Sequence, residues 1–296
     1  MRNRSLEDPL IIAAPAVFVV LWSSGFIGSK AGLPFAEPMT FLTLRMIALV
    51  VLLAPVLIVT RPPWPRRSAI LHNVVAGLLV HGLYLGGVFV SIYQGLPAGL
   101  VALVVALQPV LTSTLANRWL GEPVALHQWA GLVLGLVGVA LVVQGKTAGD
   151  TSFFAWTAVF VALIGITVGT LYQKRFAGGV DWRAGFLIQY AAAGLLFGIA
   201  AYAFETREVH WTPEFILALG WLVVVLSLGA IWLLYFMIRR SAATRVASLF
   251  YLTPPVTALM AWLLFDERLQ PLALLGMAIC VVGVFLVNWR PYAFRS

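Results

Sequence analysis

Charge is scarce in this chain of 296 residues: only 10% of them are Asp, Glu, Lys or Arg. Soluble domains carry about 25% charged residues, so the shortage excludes an ordinary soluble fold. Cysteine is almost absent. The single one, Cys280, rules out an internal disulfide and a cysteine-built metal cluster, and its place within an apolar run reads as a small packing residue. Acidic residues are missing from the middle of every apolar run, all eleven lying in loops or at helix ends. Proton-driven membrane pumps usually carry a buried carboxylate, so the chain lacks the usual mark of a proton-driven process.

What is present is apolar. Hydrophobic residues make up 61% of the chain and the mean hydropathy is +0.97. Most stretches between charged clusters are apolar runs of about 20 residues, the length that crosses a bilayer as a helix. The net charge of +8 does not imply nucleic acid, because the basic residues are scattered singly at helix ends, where orientation signals belong. Arg2 and Arg4 precede an apolar run as in a signal peptide. Glu7 and Asp8 interrupt that pattern and no small-x-small cleavage site follows, so it reads as a retained first helix.

Breaks at 34–38, 61–67, 94–97, 118–123, 145–151, 174–183, 205–213, 239–245 and 266–271 separate ten apolar segments. With the N-terminus in the cytoplasm, 14 Lys and Arg residues fall on the inner side and 4 on the outer, with Arg45 inside the second helix. A wrong helix count would scramble that asymmetry, so ten spans are expected, with both termini cytoplasmic.

The chain also repeats itself. Residues 98–142 align without a gap on 243–287, with 14 of 45 positions identical. The informative matches are Pro109 with Pro254, Glu122 with Glu267, Gly131 with Gly276 and Gly138 with Gly283. Gly25 and Lys30 match Gly169 and Lys174 at an offset of 144. The expected domains are therefore residues 1–147 and 148–296, each with five helices. Five is odd, so the halves are expected to be inverted relative to one another, an arrangement of transporters. Small-xxx-small pairs such as Gly28/Gly32, Gly131/Gly135 and Gly165/Gly169 suit close helix packing.

These features, with Leu21-Trp22-Ser23-Ser24-Gly25-Phe26, Lys30, Phe41-Leu42-Thr43-Leu44-Arg45 and the two copies of the Pro109–Gly138 block, resemble the drug/metabolite transporter superfamily in its two-repeat EamA branch. The resemblance covers essentially the whole chain and implies export of amino acids and related metabolites, as in members of the YddG type. Gln189 stands opposite Arg45, so the halves differ chemically.

A substrate site is expected at mid-membrane where the halves meet. The polar and aromatic residues at that depth are Trp22, Ser24, His81, Tyr84, Gln108, Trp232, Tyr235 and Tyr251. His81 with Tyr84, and Trp232 with Tyr235, sit at i and i+3 on one helix face. Pro109 and Pro254 are expected to act as paired hinges, each freeing a backbone carbonyl. The expected cargo is a neutral or zwitterionic small molecule, an aromatic or neutral amino acid first, with a drug, nucleoside or sugar-like metabolite as the alternative. The expected setting is the bacterial inner membrane, with lipid as the surroundings, one chain as the working unit, and no cofactor, metal or nucleic acid.

Two enzyme readings fall short. Gly145-Lys146-Thr147 resembles the end of a phosphate loop, but position 140 is Ala where that loop needs its first glycine. An intramembrane serine protease would pair Ser23 or Ser24 with His81. Trp22 stands where its G-x-S-G motif needs glycine.

Overall fold

The structure is a computed structural model that describes residues 9–96, 98–121, 123–143, 152–265 and 271–289. Apart from one isolated bridge, Ala36 with Val209, the regular elements among the described residues are helical. They are α1 (Pro9–Gly32), α2 (Pro38–Thr60), α3 (Arg67–Tyr93), α4 (Ala98–Val105), α5 (Gln108–Leu120), α6 (Leu126–Val143), α7 (Phe153–Phe176), α8 (Trp182–Phe204), α9 (Pro213–Arg240), α10 (Ala243–Ser248), α11 (Thr253–Phe265) and α12 (Pro271–Asn288). Six of them, α1, α2, α3, α7, α8 and α9, are long and apolar enough to cross a membrane. Helices α6 and α12 have 18 residues each. Glu122 and Glu267 of the repeat, the 145–147 segment, and the basic residues Arg2, Arg4, Lys146, Arg268, Arg290 and Arg295 lie outside the described residues.

The fourth apolar segment of each half, expected as one helix, is two. Helix α4 ends at Val105 and α5 begins at Gln108, while a 3-10 turn, Leu249–Leu252, joins α10 to α11. Pro109 stands in the first turn of α5, where its missing N–H costs no helical bond. Pro254 is likewise the second residue of α11. The breaks lie just before the prolines, not on them.

The third helix of each half carries a second irregularity. In α3 the stretch Leu78–Leu83 is π-helical, and in α9 the stretch Leu222–Ala230 is. The two begin 144 residues apart, the offset that also relates Gly25 to Gly169. Such wide turns push side chains out of the regular spiral and are frequent at functional sites.

Packing exchanges the halves. Helix α1 lies on α9 and α3 on α7, so each first helix meets the third helix of the other half, while α2 packs on α8 and α6 on α12. One hydrophobic cluster runs through both halves, from Ala14 to Val287. Outward faces are apolar too: α2 exposes Ile47, Val51 and Val59, and α8 exposes Leu195 and Ile199. Solvent would not favour that surface; hydrocarbon does.

The α6–α12 seam shows how the halves relate. A methyl group placed on Gly131 would lie 2.6 Å from the Gly283 carbonyl oxygen, and one on Gly138 would lie 2.7 Å from that of Gly276. Only glycine permits such backbone contact. Gly131 and Gly276 are repeat equivalents, as are Gly138 and Gly283, so each glycine meets the partner's counterpart rather than its own. Position rises along one helix as it falls along the other, so the pair is antiparallel and self-complementary, the contact pattern of a two-fold axis. At its centre Cys280 Sγ lies 3.6 Å from the carbonyl oxygen of Gly135, its own repeat equivalent.

Candidate functional site

The first turn of α2 has orphan N–H groups and no cap from its own N-cap residue, Glu37. Glu205, at the end of α8 in the other half, supplies it. Its Oε1 accepts from Met39 N at 2.7 Å, and its Oε2 from Thr40 N at 2.7 Å and Thr40 Oγ1 at 2.8 Å. Glu37 returns the arrangement by accepting from the backbone N–H and hydroxyl of Thr206, both at 2.7 Å. The Thr206 hydroxyl, foremost, holds the Glu37 carboxyl below its ordinary pKa of 4.5. With the hydrogen bond from His210 N to Phe35 O, these contacts latch the α1–α2 loop to the α8–α9 loop.

Below the latch, aromatic rings fill the space between the halves. Trp22 of α1 and Tyr84 of α3 are stacked, with centroids 5.9 Å apart, and Phe250 stands edge-on to Trp22 at 5.1 Å. Trp22, Phe26, Ser29, Arg45, Tyr84 and Leu226 line a cavity of ≈ 30 Å³, room for about two waters.

Arg45 enters that cavity from α2 and is 1% exposed. Its Nε and Nη2 donate to Ser227 Oγ, at 2.9 and 2.7 Å, within the π-helical stretch of α9. Tyr190 of α8 donates to the Ser227 carbonyl oxygen at 2.5 Å, and the His81 ring lies 4.7 Å from that of Tyr190. A polar chain continues through the next residue, Gln189. It accepts from Tyr235 Oη at 2.7 Å and donates to Asn73 Oδ1 at 2.9 Å and Gln173 Oε1 at 3.1 Å. Gln173 and Tyr235 then line a second cavity of ≈ 260 Å³, together with Lys174 and Arg239.

The residues singled out in the sequence thus divide. Trp22 and Tyr84 wall the narrow cavity, and His81 and Tyr235 border the polar chain. Gln108 and Tyr251 lie at the two helix breaks, both buried, with Gln108 Oε1 and the Tyr251 hydroxyl lacking partners. Ser24 and Trp232 sit apart from the cavity lining: Ser24 Oγ donates to Leu21 O and accepts from Trp221 Nε1, and Trp232 stacks on Phe236 at 5.4 Å. Ser23 donates to the carbonyls of Val19 and Thr253, so neither serine is bonded to His81. Ser227, Tyr190 and Asn73 were not foreseen. Ser227 is one hydroxyl in an apolar run, and only the buried Arg45 opposite gives it meaning.

Two packed copies of one helical pattern, apolar outer faces and a buried polar site define a multi-pass membrane protein with the build of a carrier. The chain belongs to the EamA-like transporter family, which matches residues 10–144 and again 153–289. It is similar to the inner membrane transporter YedA of Escherichia coli K12, 29% identical over 100% of this chain and 95% of that one. It is also similar to a probable amino-acid metabolite efflux pump of the same organism, 26% identical over 92% of this chain and 94% of that one. A solved crystal structure shares the fold, with a TM-score of 0.75 and 20% identity over 93% of this chain and 95% of that chain. The family consists of transporters, and the chain is a membrane transporter rather than an enzyme.

Proposed function

We propose that this transporter exports small neutral or zwitterionic metabolites, aromatic and neutral amino acids foremost, from the bacterial cytoplasm by alternating access. The observation that carries the reading is the self-complementary antiparallel seam of α6 and α12, taken with the aromatic-walled cavity among α1, α2, α3 and α9. Two halves related by an axis in the membrane plane have two equivalent arrangements, open to one side or to the other. The ten-span count, with residues 1–147 and 148–296 as inverted halves and both termini inside, follows if α4–α5 and α10–α11 each count as one broken span. In support, the 33–37 and 205–210 segments meet at one end, while Arg239 donates to Val180 O and Lys174 to Ser241 O between loops assigned to the other.

In this reading Trp22 and Tyr84 hold the apolar part of the substrate, with His81, Tyr235, Gln108 and Tyr251 as polar and aromatic neighbours. The breaks before Pro109 and Pro254 are where each half bends. Resemblance to an amino-acid metabolite efflux pump favours amino acids over drugs. The test is efflux from proteoliposomes across a panel of amino acids, nucleosides and cationic drugs, with and without a pH gradient. Protein-dependent amino-acid flux that survives collapse of the gradient, and falls in Trp22→Ala and Tyr84→Ala, is the expected result. Strict dependence on the gradient would refute the facilitated mechanism, and flux unchanged by both alanines would refute the site.

A further inference from the structure

Among the described residues, Arg45 is a buried cation with no anion. It forms no ion pair among the described residues, and its Nη1 is buried without any hydrogen-bond partner. Moving a guanidinium out of water is costly unless charge and hydrogen bonds compensate it. Ser227 occupies the Nε–Nη2 edge with a neutral hydroxyl and leaves Nη1 open. The described acidic side chains, Glu37, Asp181, Glu205, Glu208 and Glu214, all belong to helix ends or loops. Apart from the Ser29 hydroxyl, the cavity that Arg45 lines is walled by aromatic and aliphatic side chains and Gly25.

We infer that Arg45 is the anchor for the carboxylate of the transported molecule, which makes the cargo a small monocarboxylate with an apolar or aromatic body. The inference deepens the exporter reading and rests on it. An incoming carboxylate oxygen completes the donor that Ser227 leaves open, in the charge-assisted form that suits guanidinium. One cation suits one negative charge; a phosphate dianion would ask for a second beside it, and the lining holds none. The approach fits as well. The larger cavity at the far end of the polar chain has Lys174 and Arg239 in its wall, which raises the local concentration of anions. From it Gln173, Gln189, Tyr190 and Ser227 lead to Arg45. The aromatic stack must part to admit the body of the molecule, since the cavity of ≈ 30 Å³ holds little more than the carboxylate.

Full-length protein in proteoliposomes tests this with matched triplets: phenylalanine, phenylalaninamide and phenethylamine, and the leucine series alike. Wild type is expected to show a KM at least about tenfold lower for the acid than for its amide, the scale of a lost charged hydrogen bond. Arg45→Gln is expected to bring that ratio to within about twofold, and Arg45→Lys to leave part of it. Because Arg45→Gln could fail to fold, the melting temperature of detergent-solubilised wild type is read with each compound; the acid should raise it and the amide should not. Equal KM or equal melting shifts for acid and amide in wild type would overturn the anchor, as would a folded Arg45→Gln that keeps the tenfold ratio. Absence of protein-dependent flux for every compound, acid, amide and amine, would instead overturn the exporter reading, and the melting shifts would still decide whether Arg45 binds carboxylate.

Discussion

Removing the Glu205 carboxylate should open the latched end of the cavity. Its two oxygens satisfy two orphan N–H groups and one hydroxyl at the start of α2, at 2.7–2.8 Å. Loss of a helix cap costs about 0.5–2 kcal/mol, and loss of a negative charge from a helix N-terminus about 0.3–1 kcal/mol. Glu205 is partly exposed, so solvent screens the charge component, and about 1–2 kcal/mol is the reasonable sum. If the contacts exist only in the conformation closed at this end, Glu205→Ala raises the open population about 5–30-fold. The assay is alkylation of Ser29→Cys, a cavity-lining position, by an impermeant maleimide added on the side of the α1–α2 loop. The native Cys280 is buried and gives little background. Glu208→Gln, an exposed acid of the same loop with no bond to α2, is the control and should label like the parent. Faster labelling in Glu205→Ala alone bears out the latch. Unchanged labelling with a lower melting temperature would show that Glu205 merely staples the fold.

Two further outcomes follow from the same geometry. Gly138→Ala and Gly283→Ala, which place methyl groups 2.7 Å from backbone atoms of the opposite helix, should each destabilise by about 1–3 kcal/mol. Their losses should agree to within about 1 kcal/mol as read by thermal unfolding in detergent, because the proposed two-fold would make them equivalent; a larger disparity contradicts the two-fold. For Glu37, whose carboxyl is held below 4.5 chiefly by Thr206, the contribution to stability is complete above pH 4.5 and lost as pH falls through the lowered value. The melting-temperature gap between wild type and Glu37→Gln should therefore stay constant from neutral pH to about 5 and close at pH below 4.5. A gap that closes near neutrality would contradict it.

Duplication, helical class and membrane residence were legible because they rest on features that repeat: Gly131 with Gly276, Gly138 with Gly283, and apolar runs of spanning length. What the glycines do was not legible. Matching positions in two copies says nothing about whether equivalents meet each other or cross over, and only the antiparallel seam resolves that. The π-helical stretches left no trace either, since Leu78–Leu83 and Leu222–Ala230 contain no residue that demands a wide turn. That gap explains part of the division among the site residues. Trp232 and Tyr235 share a face by spacing, but spacing fixes their relative angle and not the neighbour each meets; Tyr235 found Gln189 and Trp232 found Phe236. Arg45 was visible as a charge inside a helix, yet without Ser227 opposite it there was no reason to place it at the centre. Among short polar residues in long apolar runs, burial against a charge is what confers a role, and burial is not written in composition.

The exchange of Arg45 for Gln189 across the axis has a consequence for stoichiometry. Two identical halves would present every charge twice, and a carrier so built could take its cargo in either polarity, or two molecules at once. With one guanidinium, and with the opposite amide already committed to Asn73, Gln173 and Tyr235, the centre has a head and a tail. If Arg45 anchors the carboxylate as proposed, a molecule that enters must lie one way round, and each turn of an alternating cycle is expected to move a single copy.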